Sequence, residues 1–521
     1  MEIHGFKNAN IRIPLHGAFS PPKEEAPSFQ DHLVLGGKDR GDDGGLIRLN
    51  ILHMNDIHGA VEPMMDPKIS PDSPVGGLAN SKTLIDREKA KNPDGTLLLN
   101  AGDIAEGSLV SYVTKGQVVV DALKDMGFDA AALGNHDFAW GQNALNCMIQ
   151  GMDTPILAAN VTRTEDGRVM DGAKPYLIQD VKGVKVGIIG LDTPAVGHFV
   201  DEAKLKGLQF NDGASTISRY LPEVKEKGAD LVVVLSHMGF EEDKKLARDV
   251  KGIDVIVGGH SHTELKEGHR EGDTLIVQAG SLTRFVGNLQ LDVDPATRKI
   301  VSHQARLIPV IAKEIEPDPQ IQAILKPYLA EAEKIGAVVM GEATEDLHYA
   351  HREACKLNQI HADSIREKTG AEVGICNSRT LRGHVPKGPI TYRQLYSALP
   401  FTEENYVTCR AKGSTILQEI EDDLRDGATE LAVPTGLKYQ YDPSRPEGRR
   451  VTSIVTADGR PLDMDKEYSL VLNETMAKKK TFKDVKDRKV HGGVQQVFFD
   501  YVKAGSPWQD NPDDRVVPKA P

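Results

Sequence analysis

A chain of 521 residues is too long for a single core and suits two domains, and its 39% hydrophobic and 27% charged content is that of an ordinary folded protein. The formal charge of −13 argues against a nucleic-acid scaffold, because duplex binding wants a basic face. Cys147, Cys355, Cys376 and Cys409 form no CxxC pair, which excludes a zinc ribbon and a dense disulfide framework. No apolar run approaches the roughly 20 residues needed to span a bilayer.

Residues 1–45 are rich in Pro, Gly and charge (Pro21-Pro22-Lys23-Glu24-Glu25, then Gly36-Gly37-Lys38) and read as a disordered or loosely packed arm. They contain no basic start followed by an apolar core, so the expectation is a cytoplasmic protein without a secretory signal. From Leu46 onward apolar runs alternate with helical segments, the pattern of a layered α/β domain. Ile47 to Met54 reads as a strand ending in Asn55-Asp56-Ile57-His58, and Thr96 to Leu99 as one ending in Asn100-Ala101-Gly102-Asp103. A helical stretch from Gly116 to Met126 leads into Ala130 to Leu133, which ends in Gly134-Asn135-His136-Asp137. Val184 to Ile189 follows, then Leu231 to Leu235 ending in Ser236-His237, and Val255 to Val257 ending in Gly258-Gly259-His260-Ser261-His262. Leu275 to Val277 and Phe285 to Val293 complete the sheet-rich part near Asp294.

Five strands therefore end in polar residues of similar kind, at the sheet edge where open α/β sheets bind ligands. Asp56 and His58 are two residues apart, so on an extended segment both point to one side, and His260 and His262 repeat that spacing. Asp103, Asn135 and His237 come singly, each at a strand end. A strand-end His is usually an ordinary satisfied polar residue; seven such groups in five like contexts are better explained by metal binding. Carboxylate, imidazole and amide ligands together suit Mn, Fe or Zn rather than Ca or Mg.

Asp56-x-His58, Gly102-Asp103, Gly134-Asn135-His136-Asp137, His237 and Gly259-His260-x-His262 resemble, in order, the pattern of calcineurin-like metallophosphoesterases. The wider context, through Pro400-Phe401 and Pro434-Thr435-Gly436-Leu437-Lys438-Tyr439, is similar to the two-domain 5′-nucleotidase family. The fold implied is α/β: an N-terminal layered metallophosphoesterase domain (a β-sandwich flanked by helices, 46–312), a linker helix (313–338) and a C-terminal α+β domain of 5′-nucleotidase type that binds substrate (339–521). The resemblance also implies two divalent metal ions bridged by Asp103, one held by Asp56, His58 and His262, the other by Asn135, His237 and His260. Two such ions generate hydroxide and clamp both oxygens of an in-line displacement, and with two carboxylates they leave about two positive charges to meet a phosphate dianion. His136, beside a ligand but not one itself, would stabilise the transition state or protonate the leaving oxygen.

The family commonly places an Asp three positions after that His to orient it, and here the position is Ala139. Asp137 is expected to cap a helix starting near Trp140. Glu106, three residues beyond Asp103, is the expected replacement, since phosphoprotein phosphatases of the same superfamily carry an orienting carboxylate at that relative position.

Between Ile311 and Ile335 the pattern turns helical and charged, with Pro317 and Pro319 at its start. Beyond it, Val373 to Cys376 reads as a strand leading into Asn377-Ser378-Arg379-Thr380-Leu381-Arg382, similar to the family's Asn-x-Gly-x-x-Arg segment with Arg379 in place of the glycine. Asn377 and Arg382, with Arg352 within about one residue of a further family arginine, are implied by the resemblance to hold an anionic substrate, and Phe401 to stack on a nucleobase. The second ring of that clamp is missing, because Thr475-Met476-Ala477-Lys478-Lys479-Lys480-Thr481-Phe482-Lys483 replaces an aromatic followed by a Gly-Gly-Asp-Gly loop. Phe482 is a candidate substitute, and the seven basic residues between Lys478 and Lys489 read as a solvated loop. The function implied is hydrolysis of a small phosphate ester, a 5′-nucleotide or a related cyclic 2′,3′-nucleotide or nucleotide sugar. Two alternatives stay open: a thiosulfate-releasing hydrolase of the same family, and a catalytically silent nucleotide-binding module.

Overall fold

The buried apolar runs form two six-stranded sheets packed face to face. In the first, the order is Ile300–Pro309, Phe285–Val293, Ile47–Met54, Thr96–Asn100, Ala130–Ala132 and Ile156–Leu157. In the second it is His269–Glu271, Thr274–Val277, Val255–Gly258, Leu231–His237, Val184–Asp192 and Tyr176–Val181. The four middle-to-edge strands from Ile47–Met54 to Ile156–Leu157 are parallel, as are the four from Val184–Asp192 to Thr274–Val277. This is a computed structural model, and it describes residues 45–353, 355–400, 404–428 and 430–519.

Alternation along each strand explains the layering. Leu49 and Ile51 meet Val186, Ile188, Leu231 and Val233 between the sheets, while Leu52 and Met54 face outward onto the helices Leu78–Lys89 and Gln117–Met126. Helices Gly213–Glu226 and Phe240–Asp249 cover the second sheet in the same way. Several expected strands run longer than their apolar cores: Val184 continues to Asp192 and Leu231 to His237. The sheet also extends past Asp294 through Ile300–Pro309, a largely exposed strand that carries no apolar run to announce it.

The helix Pro319–Gly336 follows, with Asp318 accepting the N–H groups of Gln320 and Ile321 at 2.9 Å and Pro319 at its first position. Ile321, Leu325 and Ala332 bury its inner face on the first half of the chain. The C-terminal half is a five-stranded sheet ordered Ala432–Thr435, Val373–Asn377, Glu467–Asn473, Tyr406–Lys412 and Lys486–His491. Helices Lys356–Thr369 and Val494–Gly505 pack on one face and Gly413–Asp423 on the other. The described residues from Leu46 onward form one compact unit. Among the described residues no helix is long and apolar enough to cross a membrane.

Candidate metal centre

All seven expected ligands lie at the carboxyl ends of parallel strands from both sheets. The expectation that Asp56/His58 and His260/His262 converge because they sit on extended backbone is wrong. The strands stop at Met54 and Gly258, and Asp56, His58, Asp103, His260 and His262 all adopt the left-handed region, with φ of 49°, 49°, 53°, 69° and 54°. L residues rarely pay that cost outside sites where the surrounding structure imposes it. The imposition is visible: the N–H groups of Asp56, His58 and Gly59 bond the carbonyls of Gly102, Asp103 and Ile104 at 2.9–3.0 Å, so two loops stay zipped beyond the strand ends.

The turns bring the donor atoms into two adjoining clusters, Asp56–His58–His262 and Asp103–His237–His260. In the first, His262 Nε2 is 3.1 Å from Asp56 Oδ1 and 3.2 Å from His58 Nε2, which is 3.8 Å from Asp56 Oδ1. His58 Nδ1 donates to the Glu106 carbonyl at 2.8 Å, and burial holds the ring's pKa down to about 4, so the neutral ring turns a lone pair toward its neighbours. In the second, His237 Nδ1 donates to the Ala101 carbonyl at 2.6 Å and its Nε2 lies 3.1 Å from Asp103 Oδ2. His58 Nε2 is 3.6 Å from the same Asp103 oxygen, which places that carboxylate between the two clusters. Asn135 Oδ1 is buried and has no hydrogen-bond partner. Donor atoms on one ion at about 2.1 Å stand roughly 3.0–4.2 Å apart, depending on the angle between them, so these separations and these converging lone pairs fit a divalent cation in each cluster.

His136 adjoins both clusters, its ring forming a third grouping with His58 and Asp103. Its N–H donates to Asp103 Oδ1 at 2.8 Å, and its Nδ1 is 2.6 Å from Glu106 Oε2. Burial lowers the His136 pKa, but in the metal-free fold Asp103 and Glu106 outweigh it and raise the value to about 9. Asp137 does not cap a helix near Trp140. Its carboxylate accepts the N–H groups of Gly134 and Ile104, both at 2.9 Å, and the next helix starts at Gln142. It thus ties the Asn135 turn to the Asp103 loop.

Asn55 was not singled out from the sequence: its Nδ2 donates to Asp56 Oδ2 and the Gly280 carbonyl, both at 2.6 Å, and orients that carboxylate. Asp192 was also missed. Burial raises its pKa well above the usual range, and its strand ends beside His237, three residues past the apolar run that marked it.

In the C-terminal half, Asn377 ends its strand buried, with its oxygen accepting Arg379 N–H at 2.7 Å and its nitrogen donating to Glu430 Oε2 at 2.7 Å. Arg352 donates to the carbonyls of Asp423 and Glu430 at 2.6 Å, so its guanidinium is engaged in holding backbone. Arg382 is exposed, on a segment whose backbone pairs Leu347 with Val385. Phe401 and the arm at residues 1–44 lie outside the described residues. Phe482 is fully buried in the core under the sheet and cannot supply a second ring. The basic stretch is not simply a solvated loop either. Lys479 Nζ contacts Glu419, Asp423 and Glu430 at 2.8, 2.7 and 2.7 Å, and Lys486 to His491 form the edge strand.

Comparison with known proteins agrees with this layout. A calcineurin-like phosphoesterase model matches residues 49–264, and the model of the 5′-nucleotidase C-terminal domain matches residues 338–486. The chain is 30% identical over 460 residues to endonuclease YhcR of Bacillus subtilis, covering 83% of this chain but only 37% of that longer protein. It is 27% identical over 484 residues to a snake venom 5′-nucleotidase of Naja atra, covering 83% of this chain and 90% of the relative. Among solved structures, the 5′-nucleotidase precursor of Thermus thermophilus superposes with a TM-score of 0.78 at 28% identity, over 91% of this chain and 99% of that one.

Proposed function

The chain belongs to the two-domain 5′-nucleotidase family of calcineurin-like phosphoesterases, hydrolases of phosphoester bonds, and on that premise we propose that it hydrolyses 5′-nucleotides or closely related nucleotide esters with two divalent metal ions. The observation that carries the reading is the convergence of Asp56, His58 and His262 beside Asp103, His237 and His260, with the His136–Glu106 pair against them. Asn135 completes the second set through its unpartnered buried oxygen. The ions, when bound, supply a nucleophile at neutral pH and offset the charge of the phosphoryl group.

The remaining work falls to side chains. Asp103 fixes the His136 backbone, and Glu106 holds Nδ1, so the ring can point only Nε2–H at the substrate. That proton stabilises charge on the phosphoryl oxygens or passes to the departing oxygen. Asn377, Arg382 and the backbone held by Arg352 are the substrate-holding groups of the C-terminal half. With Phe482 buried, discrimination among bases should be weak. The same pair, His136 and Glu106, speaks against a silent binding module.

The test is phosphate release by protein loaded with Mn²⁺ or Zn²⁺ from nucleoside 5′-monophosphates, cyclic 2′,3′-nucleotides, nucleotide sugars and bis-p-nitrophenyl phosphate. Turnover of at least one nucleotide, abolished by chelation, is expected. Metal-dependent turnover of none of them would overturn the proposal.

A further inference from the structure

The segment after the strand Val184–Asp192 displays an aromatic ring at the metal centre. Phe199 is 53% exposed and is the only aromatic residue among the large exposed apolar side chains of the described residues. Its ring centroid lies 5.3 Å from that of His260, at an interplanar angle of 77°. His260 in turn lies 5.2 Å from His237, so Phe199 stands at the outer end of a row of rings that leads into the centre. The exposure is imposed by the backbone. Val196 and Val200 on either side are buried in the core cluster of the first sheet. Within the turn, the N–H groups of Phe199 and Val200 bond the Val196 carbonyl at 2.9 and 3.0 Å. The turn is therefore anchored at both ends, and the phenyl ring between the anchors is held out of the core.

A phenylalanine fixed in water beside half-buried His260 forgoes hydrophobic burial unless something flat covers it. We propose that Phe199 is a specificity-determining residue of the metal centre, forming the apolar side of the leaving-group pocket and favouring esters whose leaving group carries a planar aromatic ring. This rests on the phosphoesterase reading above. It adds a base-independent aromatic contact on the N-terminal half, next to the phosphoryl site itself. An aryl ring attached at the ester oxygen, or the base of a short nucleoside, is the class that reaches it.

The experiment compares p-nitrophenyl phosphate with glycerol 2-phosphate, an ester of similar charge without a ring, on wild-type protein, Phe199→Ala and Phe199→Trp. Phe199→Ala should lower kcat/KM for the aryl ester about ten-fold more than for the glycerol ester, mostly through KM, the size expected for losing one ring stack. Phe199→Trp should keep the wild-type preference, and elemental analysis should find unchanged metal in both variants. Calorimetric binding of phenylphosphonate and methylphosphonate to the metal-loaded protein gives the same comparison without turnover. Equal losses on both esters and both phosphonates, or loss of metal, would overturn the inference and make Phe199 a cover for His260. If the wild type hydrolysed neither ester, the phosphonate affinities alone would decide the role of Phe199, while the proposed function would stand or fall on the nucleotide panel.

Discussion

Gly134 precedes Asn135 because no other residue fits there: a Cβ would overlap Asp103 Oδ1 and crowd the Asp103 backbone nitrogen at 2.5 Å. Gly102 is constrained twice, by φ of +87° and by His237 Nδ1, which a Cβ would meet at 2.7 Å. Gly134→Ala should therefore displace the Asp103 carboxylate, and metal analysis should show the loss of at least one equivalent with turnover falling in step. Retention of both ions would mean that Asp103 does not need its present position. Glu106 makes a separate prediction, since it touches His136 without belonging to either ligand cluster. Glu106→Gln should lower kcat roughly 10- to 100-fold, the range for lost orienting partners, with metal content intact. Adding Ala139→Asp should recover part of the loss. An unchanged kcat in Glu106→Gln would remove Glu106 from the mechanism.

At the scale of elements, the helix Gly413–Asp423, the edge-strand approach at Lys479 and the loop at Glu430 are joined by one half-buried cation. Glu419 is fully buried and Asp423 nearly so, and burial raises the Asp423 pKa to about 6 against the pull of Lys479. Glu430 passes the contact on to Asn377. Removing one partner from a buried ion cluster leaves charge uncompensated, so Lys479→Met should destabilise the protein by about 3–5 kcal/mol. Chemical denaturation would read this directly. A change below about 1 kcal/mol, the worth of an exposed pair, would show that water reaches the cluster.

Across the whole molecule, the helix Leu109–Thr114 connects the metal centre to the C-terminal half. Its N-cap Ser108 lies two residues after Glu106, while Leu109 is buried in the C-terminal core and Tyr112 packs 5.5 Å from Tyr396. Arg393 adds ion pairs to Glu333 at 2.6 Å and Glu62 at 3.6 Å. Leu109→Ala should cost about 2–5 kcal/mol and, by loosening the docking, resolve calorimetric unfolding into two steps. A single undisturbed transition would show that the halves are held elsewhere. Global stability should also depend on pH through two buried imidazoles outside the centre. Burial lowers the pKa of His53 to about 3 and of His361 to about 4, so each is neutral when folded and takes up a proton on unfolding. Stability is then complete above about pH 6.5 and falls as pH drops toward those values, by about 2 kcal/mol per group between pH 7 and 5. His361→Phe should reduce that drop by about 2 kcal/mol; an identical pH profile would show that His361 is charged in the fold.

The layered fold, and the candidate ligands at its strand ends, were legible in the chain alone. Strand ends are written locally: an apolar run of period two stops, and Asp, Asn or His follows it. Seven such groups could be named because each needs only its own neighbours in the chain; Glu106 was named because its offset from Asp103 resembles that of an orienting carboxylate in phosphoprotein phosphatases. How those residues converge was decided by tertiary structure. Extended backbone was the wrong geometry for Asp56 and His58, since left-handed φ is stabilised by bonds to Gly102, Asp103 and Ile104, some 45 residues away. Asp137 turned from helix cap to loop tie for the same reason, as Ile104 N–H came within reach only on folding. Lys479 read as a loop residue and Phe482 as a candidate second ring because the carboxylates that hold the one and the apolar side chains that bury the other come from the separate helix Gly413–Asp423 and the sheet beneath. Local pattern fixes which groups stand at an edge; only packing decides which of them meet.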